Sequence, residues 1–285
     1  MSKMTPRVLD HVVLPVPSLK IARERYAQLG FTVSPDGRHK FGSENCCIHF
    51  ENGTFIEPLA IGHRETVEAA IDKGNNFLRR DMGYRFRNGD DGFTCLVFGE
   101  PDPKSARKDI QKAGWETGKL VTVRRPGVKA KIALGIDERS PDFTCFLCER
   151  PDGSKKVPNK KAVHENGATG IKAVTLCEQL PEDFQYYLQT MSGQREVRSH
   201  SFGMEIQMPN GSVNVLNRAG LRAHYGKEAP IERGVRAMAF DVTVKDLKAV
   251  AGLLDSSSVE TRQVGPRLIV DPARGQGAMI AFVEA

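Results

Sequence analysis

The residues of this 285-residue chain best suited to chemistry are ionisable groups set within apolar runs. Glu57 stands among Phe55, Ile56, Leu59 and Ile61, and a carboxylate is costly to bury without a partner. Desolvation would raise its pKa and make it a general base. His11 lies inside the apolar run over 8–16. Imidazole and carboxylate together suit Zn, Fe, Mn, Co or Ni, and a catalytic site adds a third protein ligand and an open position. Lys172 and Arg236 also fall inside strand-like runs; cations facing a cavity would bind an anionic substrate. His39 belongs to a polar turn, His49 to the outward side of an alternating strand, and His164 to a linker with a structural role. His63, His200 and His224 lie in loop-like surroundings and receive no role.

Composition excludes several functions. Hydrophobic residues make up 40% and charged residues 27%, which is globular rather than disordered. The net charge is +6, but the 41 basic residues are spread along the chain. The densest stretches, Lys155-Lys156 to Lys160-Lys161 and Arg124-Arg125, carry no aromatic residues for base stacking. The first reads as a solvated linker and not a nucleic-acid contact. The six cysteines sit mostly in apolar runs as small hydrophobes. Cys145 and Cys148 have C-x-x-C spacing but no second pair and no strand-to-helix turn. Phosphate-loop, dinucleotide and nucleophile-elbow motifs are lacking. The N-terminal residues show no apolar signal core and no run reaches the ~18 residues of a membrane span. The expectation is a reducing cytoplasm, no membrane or nucleic-acid partner, and a monomer or homodimer.

Four strand–helix openings organise the chain, at about 8, 93, 171 and 235. In the first, a strand over 8–16 leads to Ser18 as N-cap. Ile21, Ala22, Tyr26 and Leu29 form an apolar helix face, and Gly30 ends it. Strands follow from Phe31, over 46–50 and, after the Asn52-Gly53 turn, over 54–61. Corresponding strands are expected at 93–98, 120–123, 131–134 and 143–148; then from 171, at 204–208 and 213–216; then from 235, at 267–270 and 279–283. A helix-like stretch over 65–78 interrupts the rhythm as an inserted connector. One such unit leaves a sheet face bare, so units must pair around a shared interior. The fold class is α+β: four βαβββ units paired into two cupped mixed sheets with helices outside. The expected domains are 1–160, with units at about 8–62 and 92–150 and an insert at 63–90, and 165–285, with units at about 170–220 and 233–285.

The opening Leu9-Asp-His-Val-Val-Leu-Pro-Val16 resembles the first strand of the glyoxalase/bleomycin-resistance/dioxygenase (vicinal-oxygen-chelate) superfamily. Gly37-Arg-His-Lys-Phe-Gly42, Asn52-Gly-Thr-Phe-Ile-Glu-Pro-Leu59 and His164-Glu-Asn-Gly-Ala-Thr-Gly-Ile171 are similar to segments of its glyoxalase-like branch. The match is specific over the first unit and rests mainly on unit order in the other three. This resemblance implies cupped sheets around a small-molecule cavity, with a divalent metal at the cup floor in many members. It places His11 and Glu57 at the first- and fourth-strand ligand positions. Glu149 and Glu284 fall near the Glu57 position in later units, and Asn214 or Asn217 in the third. Thr94, Lys172 and Arg236 match the His11 position by eye and are poor ligands. It also turns His39 into the cup beside Asn45.

The function expected is a glyoxalase-like small-molecule enzyme of lyase, isomerase or related type, acting on an oxygenated metabolite. Glu57 is the candidate catalytic group; His11, Glu57 and Glu149 are candidate ligands for a divalent metal ion (Zn, Fe, Mn, Ni or Co); His39, Asn45, Lys172 and Arg236 are candidate substrate contacts. The alternative is a metal-free protein that sequesters a small molecule. A ring-cleaving dioxygenase and a standard glyoxalase I both fit poorly, since the later units lack the required histidines.

Overall fold

The first strand, β1 (Val8–Pro15), is buried along nearly its whole length and becomes the centre of a sheet. In a computed structural model describing residues 5–125, 128–150, 162–230 and 232–285, it pairs parallel with β5 (Phe55–Ile61) and antiparallel with β6 (Cys95–Glu100). Between them come helix α1 (Leu19–Gln28) and the short strands β2 (Gly37–Arg38), β3 (Ser43–Asn45) and β4 (Ile48–His49). Ser18 caps α1 by accepting from the Ile21 amide, 3.3 Å away. Gly30 follows at φ +79°, where a side chain would be strained.

The strand expected from Phe31 does not form. Phe31 packs into the core against Tyr26, Phe50 and Phe282. The Thr32 amide donates to His164 Nδ1 at 3.0 Å and its hydroxyl to the Val163 carbonyl at 2.6 Å. The backbone is therefore satisfied by the later linker and not by a neighbouring strand. The linker's basic stretch at 155–161 lies outside the described residues.

The insert holds two helices, α2 (Arg64–Asp72) and α3 (Asn76–Asn88), and not one over 65–78. Gly74 at φ +89° breaks the run and Asn75 caps the second helix. Val67, Phe77 and Leu78 pack on Val13, Leu59, Val97 and Phe146, so the insert fills part of the first cup. Arg85 fastens it: its guanidinium binds Asp81 Oδ2 (2.8 Å) and the Val16 and Leu59 carbonyls (3.1 and 2.8 Å).

The second half of this sheet comprises β6, α4 (Pro103–Lys112), β7 (Val121–Arg125), β8 (Val128–Gly135) and β9 (Thr144–Glu149). Its order is β2-β3-β5-β1-β6-β9-β8-β7, with β4 on β5. The second sheet contains β10 (Ala168–Cys177), β11 (Arg198–His200), β12 (Gly203–Met208), β13 (Gly211–Leu216), β14 (Arg236–Val244), β15 (Arg262–Val264), β16 (Arg267–Val270) and β17 (Met279–Glu284). Its order, β11-β12-β13-β10-β14-β17-β16-β15, repeats the first. Helices α5 (Gln185–Ser192), after a 3₁₀ turn over Pro181–Phe184, and α7 (Leu247–Ser256) complete the repeat. An unexpected helix α6 (Arg218–Tyr225), N-capped by Asn217, packs Leu221 and Tyr225 on the second cup. Two curled mixed sheets with helices outside result. The faces turned away from the cups share one apolar core: Leu9, Val12 and Leu14 join Val174, Phe240 and Phe282.

All six cysteines are buried and free. Cys145 and Cys148 enter different core clusters on opposite sheet faces, as a three-residue offset in a strand dictates. They form no metal pair.

Candidate functional site

Parallel pairing of β1 with β5 brings His11 and Glu57 onto the same cup face, with Val13 opposite Glu57 and Phe55 opposite His11. A register shift between Leu9 and His11 on the β6 side marks a bulge. An extra residue there breaks strict alternation, and Asp10 lies against its neighbour, His11. Its Oδ2 is 2.6 Å from His11 Nδ1, while His11 Nε2 is 3.1 Å from Glu57 Oε2. The imidazole is thus held by two carboxylates. It stacks on Phe55 (centroids 4.2 Å, 14°) and meets the edge of Phe146 (5.6 Å).

Arg150, the residue after β9, completes the charge balance. Its Nε and Nη2 each lie 2.7 Å from a different Asp10 oxygen, a bidentate pair. Glu57 Oε1 accepts from Asn45 Nδ2. Asn45 Nδ2 in turn is 3.5 Å from His39 Nε2, and His39 Nδ1 is 2.9 Å from Ser43 Oγ. His11, Glu57, Asn45 and His39 therefore lie along one polar chain.

Burial opposes charge on Glu57, but the hydrogen bond and charge of His11, with His39 and Asn45 adding, hold its carboxyl down at about 2. The expectation of a raised pKa is corrected: desolvation is present and is outweighed. Burial also opposes the imidazolium, yet Asp10 and Glu57 raise His11 above its usual value. Asp10 is lowered against its own burial by His11 and Arg150. Two carboxylates flank the imidazole and a guanidinium backs Asp10, an arrangement that favours the protonated ring. Glu57 keeps a side-chain exposure of 13% against 4% for His11, so the carboxylate is the solvent-facing end.

Three sequence candidates do not join this cluster. Glu149 follows Cys148, whose side chain is on the cup face, so it points to the opposite face. There it accepts from the Lys131 amide at 2.9 Å and lies 3.8 Å from Lys131 Nζ. Arg236 lies between the halves and pairs with Asp142 at 2.9 Å. Lys172 lines the second cup. Its by-eye match to His11 is off by one: a second register shift, between Ile171 and Ala173, gives Lys172 the place of Asp10 and Ala173 that of His11. Asn214, opposite Thr175, takes the place of Glu57, while Asn217 is a helix cap. Asp10 and Arg150 were missed in the sequence. Asp10 adjoins His11, but its orientation depends on the bulge.

A catalytic divalent metal needs about three protein donors. His11 and Glu57 supply two; Asp10 is committed to Arg150 and Glu149 faces away. Among the described residues no three His, Cys, Asp or Glu side chains converge on a metal position. The donor set falls one short.

The sequence model of the glyoxalase-like domain matches residues 9–191. The chain belongs to the glyoxalase-like family. No curated protein matches it in sequence. Among solved structures, a hypothetical protein from Staphylococcus aureus is similar with a TM-score of 0.67 and 12% identity, covering 99% of this chain and 100% of that one. A mutant of 4-hydroxymandelate synthase from Streptomyces coelicolor gives 0.64 and 14%, over 99% and 93%. The Mn(II)-bound glyoxalase from Novosphingobium aromaticivorans gives 0.61 and 9%, over 98% and 83%. At these identities the likeness is one of fold, that of the glyoxalase/dioxygenase superfamily. No helix among the described residues is long and apolar enough to cross a membrane.

Proposed function

We propose that this glyoxalase-like protein is an enzyme that moves a proton on a small oxygenated metabolite, with His11 as acid and Glu57 as base. The supporting observation is the clamping of His11 between Asp10 and Glu57 with Arg150 behind Asp10. Asp10 and its guanidinium keep the imidazole oriented and charged. A substrate carbonyl or hydroxyl oxygen takes the Nε2–H hydrogen bond that Glu57 holds in the resting site. Glu57 then loses the interaction that lowers its pKa and keeps the burial that raises it. Its basicity rises when the substrate's acidic C–H arrives, and the imidazolium stabilises the enolate oxygen that forms. Asn45 holds the other carboxylate oxygen and His39 steadies Asn45.

Structural relatives include a Mn(II)-bound glyoxalase, but this chain's donor set is short of a ligand, and the proton transfer rests on His11 and Glu57 alone. The reaction class is proton transfer next to a carbonyl, as in isomerase and lyase chemistry. Deuterium wash-in from D₂O into α-hydroxyketones and hemithioacetals of 2-oxoaldehydes, followed by NMR, tests this. Wild type should exchange the α-proton; Glu57→Gln and His11→Gln should lose it by ~100-fold or more. Saturable binding of a probe without wash-in would support the sequestration alternative and overturn the enzymatic reading.

A further inference from the structure

The second sheet forms a cup of its own, of about 260 Å³, lined among others by Lys172, Asn214, His224, Tyr225, Asp241 and Arg267. Its chemistry differs from that of the first cup. Asp241 stands in the sheet where Val97 stands in the first: it pairs with Ala173 as Val97 pairs with His11. A carboxylate has been put on the cup floor, and it is 3% exposed. Its Oδ1 accepts from the Tyr225 hydroxyl at 2.6 Å, and Tyr225 accepts from Thr175, 2.7 Å away. Its Oδ2 accepts from Arg267 Nε at 3.0 Å. The Arg267 guanidinium is further held over the Tyr225 ring at 5.0 Å.

Arg267 is therefore aimed by a buried network that occupies its Nε edge. Among the described residues Asp241 is the guanidinium's one carboxylate partner, and Arg267 belongs to the cavity lining. A planar guanidinium fixed in this way offers two parallel N–H donors, the complement of a carboxylate. Lys172, at the bulge where the first cup carries Asp10, adds a second cation. Around them Asn214 and His224 offer hydrogen bonds. Burial and the nearby Arg267 and His200 lower the His224 pKa.

The geometry points to a second small-molecule site in this cup, which takes a small organic monocarboxylate carrying a hydroxyl or oxo group beside the carboxylate. Arg267 holds the carboxylate, Lys172 adds charge at the mouth, and Asn214 and His224 meet the adjacent oxygen. Asp241 and Glu205 stand in the lining beside Lys172 and Arg267, so selection of a carboxylate rests on the planar guanidinium fork and not on net charge. The volume sits just below the ~300–1,000 Å³ usual for ligand pockets, which fits a small metabolite. This site is independent of the His11–Glu57 cluster in the other sheet.

The test is titration of the full chain with lactate, pyruvate and mandelate, followed by amide NMR, with lactamide, mandelamide and inorganic phosphate as comparisons. At least one carboxylate should shift the amides of Ala173, Ser212 and Asn214 saturably, more tightly than its amide or phosphate. Arg267→Gln should weaken it by ~10- to 100-fold, the value of a hydrogen bond to a charged group. Since that variant strips Asp241 of its cation, Asn214→Leu serves as a second probe that leaves the Arg267–Asp241 pair intact and should also weaken binding. His11→Gln should bind as wild type does, which separates this site from the proposed proton-transfer centre. No shift with any carboxylate, equal binding of the amide, tighter binding of phosphate, or binding indifferent to both Arg267→Gln and Asn214→Leu would each overturn the inference.

Discussion

Replacing Glu57 by glutamine keeps the shape and an acceptor for His11 Nε2 but removes the charge. In the folded protein the carboxyl is held at about 2, against 4.5 for the free group. A depressed acid contributes stability above its unfolded pKa and loses it as pH falls through its folded one. A difference of about 2.5 pKa units corresponds to about 3 kcal/mol at pH 7, at 1.36 kcal/mol per unit. Because the side chain is only 13% exposed, solvent screening removes little of this. The same linkage leaves nearly all of it at pH 4.5, about half at pH 3 and little at pH 2. Urea unfolding of wild type and Glu57→Gln between pH 7 and pH 3 measures the gap. It should be about 3 kcal/mol at neutrality and should close by about half at pH 3. Equal stability at every pH, or a gap that widens on acidification, would refute the electrostatic reading of this cluster.

Other consequences follow from the same contacts. His11 should titrate above 6.5 by ¹⁵N NMR, and its contribution to stability, full below pH 6.5, should fade as pH rises through the folded value; Asp10→Asn should lower that value. Tyr187 receives the Cys145 amide at 2.9 Å and donates to the Gly135 carbonyl at 2.6 Å, all buried. Tyr187→Phe should therefore cost ~1–3 kcal/mol in denaturant unfolding. At Gly30, φ is +79° and an added Cβ would sit 3.0 Å from Asn166 and Leu253 side chains; Gly30→Ala should lower stability by more than ~1 kcal/mol in a thermal melt.

Much of the scaffold is written locally. Ser18, the apolar face through Tyr26, and Gly30 define α1 from neighbouring residues alone, and the Asn52-Gly53 turn sets β5. What failed locally was decided at long range. Phe31 reads as a strand start, but its backbone is taken by residues 163 and 164. Asn217 and Gly226 bracket α6 as caps, yet Asn217 read as a ligand position because the register of β13 was not visible. The pairing of His11 with Glu57 follows from the β1–β5 register, which unit order and the family resemblance pointed to. The Asp10 and Arg150 contributions depend on a bulge and a contact 140 residues apart, and no local pattern announces either. For the same reason the direction of the Glu57 shift could not be read: burial is visible in an apolar run, but the compensating partners are not.

The central claim is that the His11–Glu57 pair moves a proton by itself. Deuterium wash-in measured before and after exhaustive treatment with EDTA tests it most directly. The account predicts that chelation leaves the rate unchanged, while Glu57→Gln and His11→Gln each abolish it. A rate that vanishes with chelation and returns with Mn, Fe, Co, Ni or Zn would contradict it, and would make His11 and Glu57 ligands of a metal in place of the acid and base.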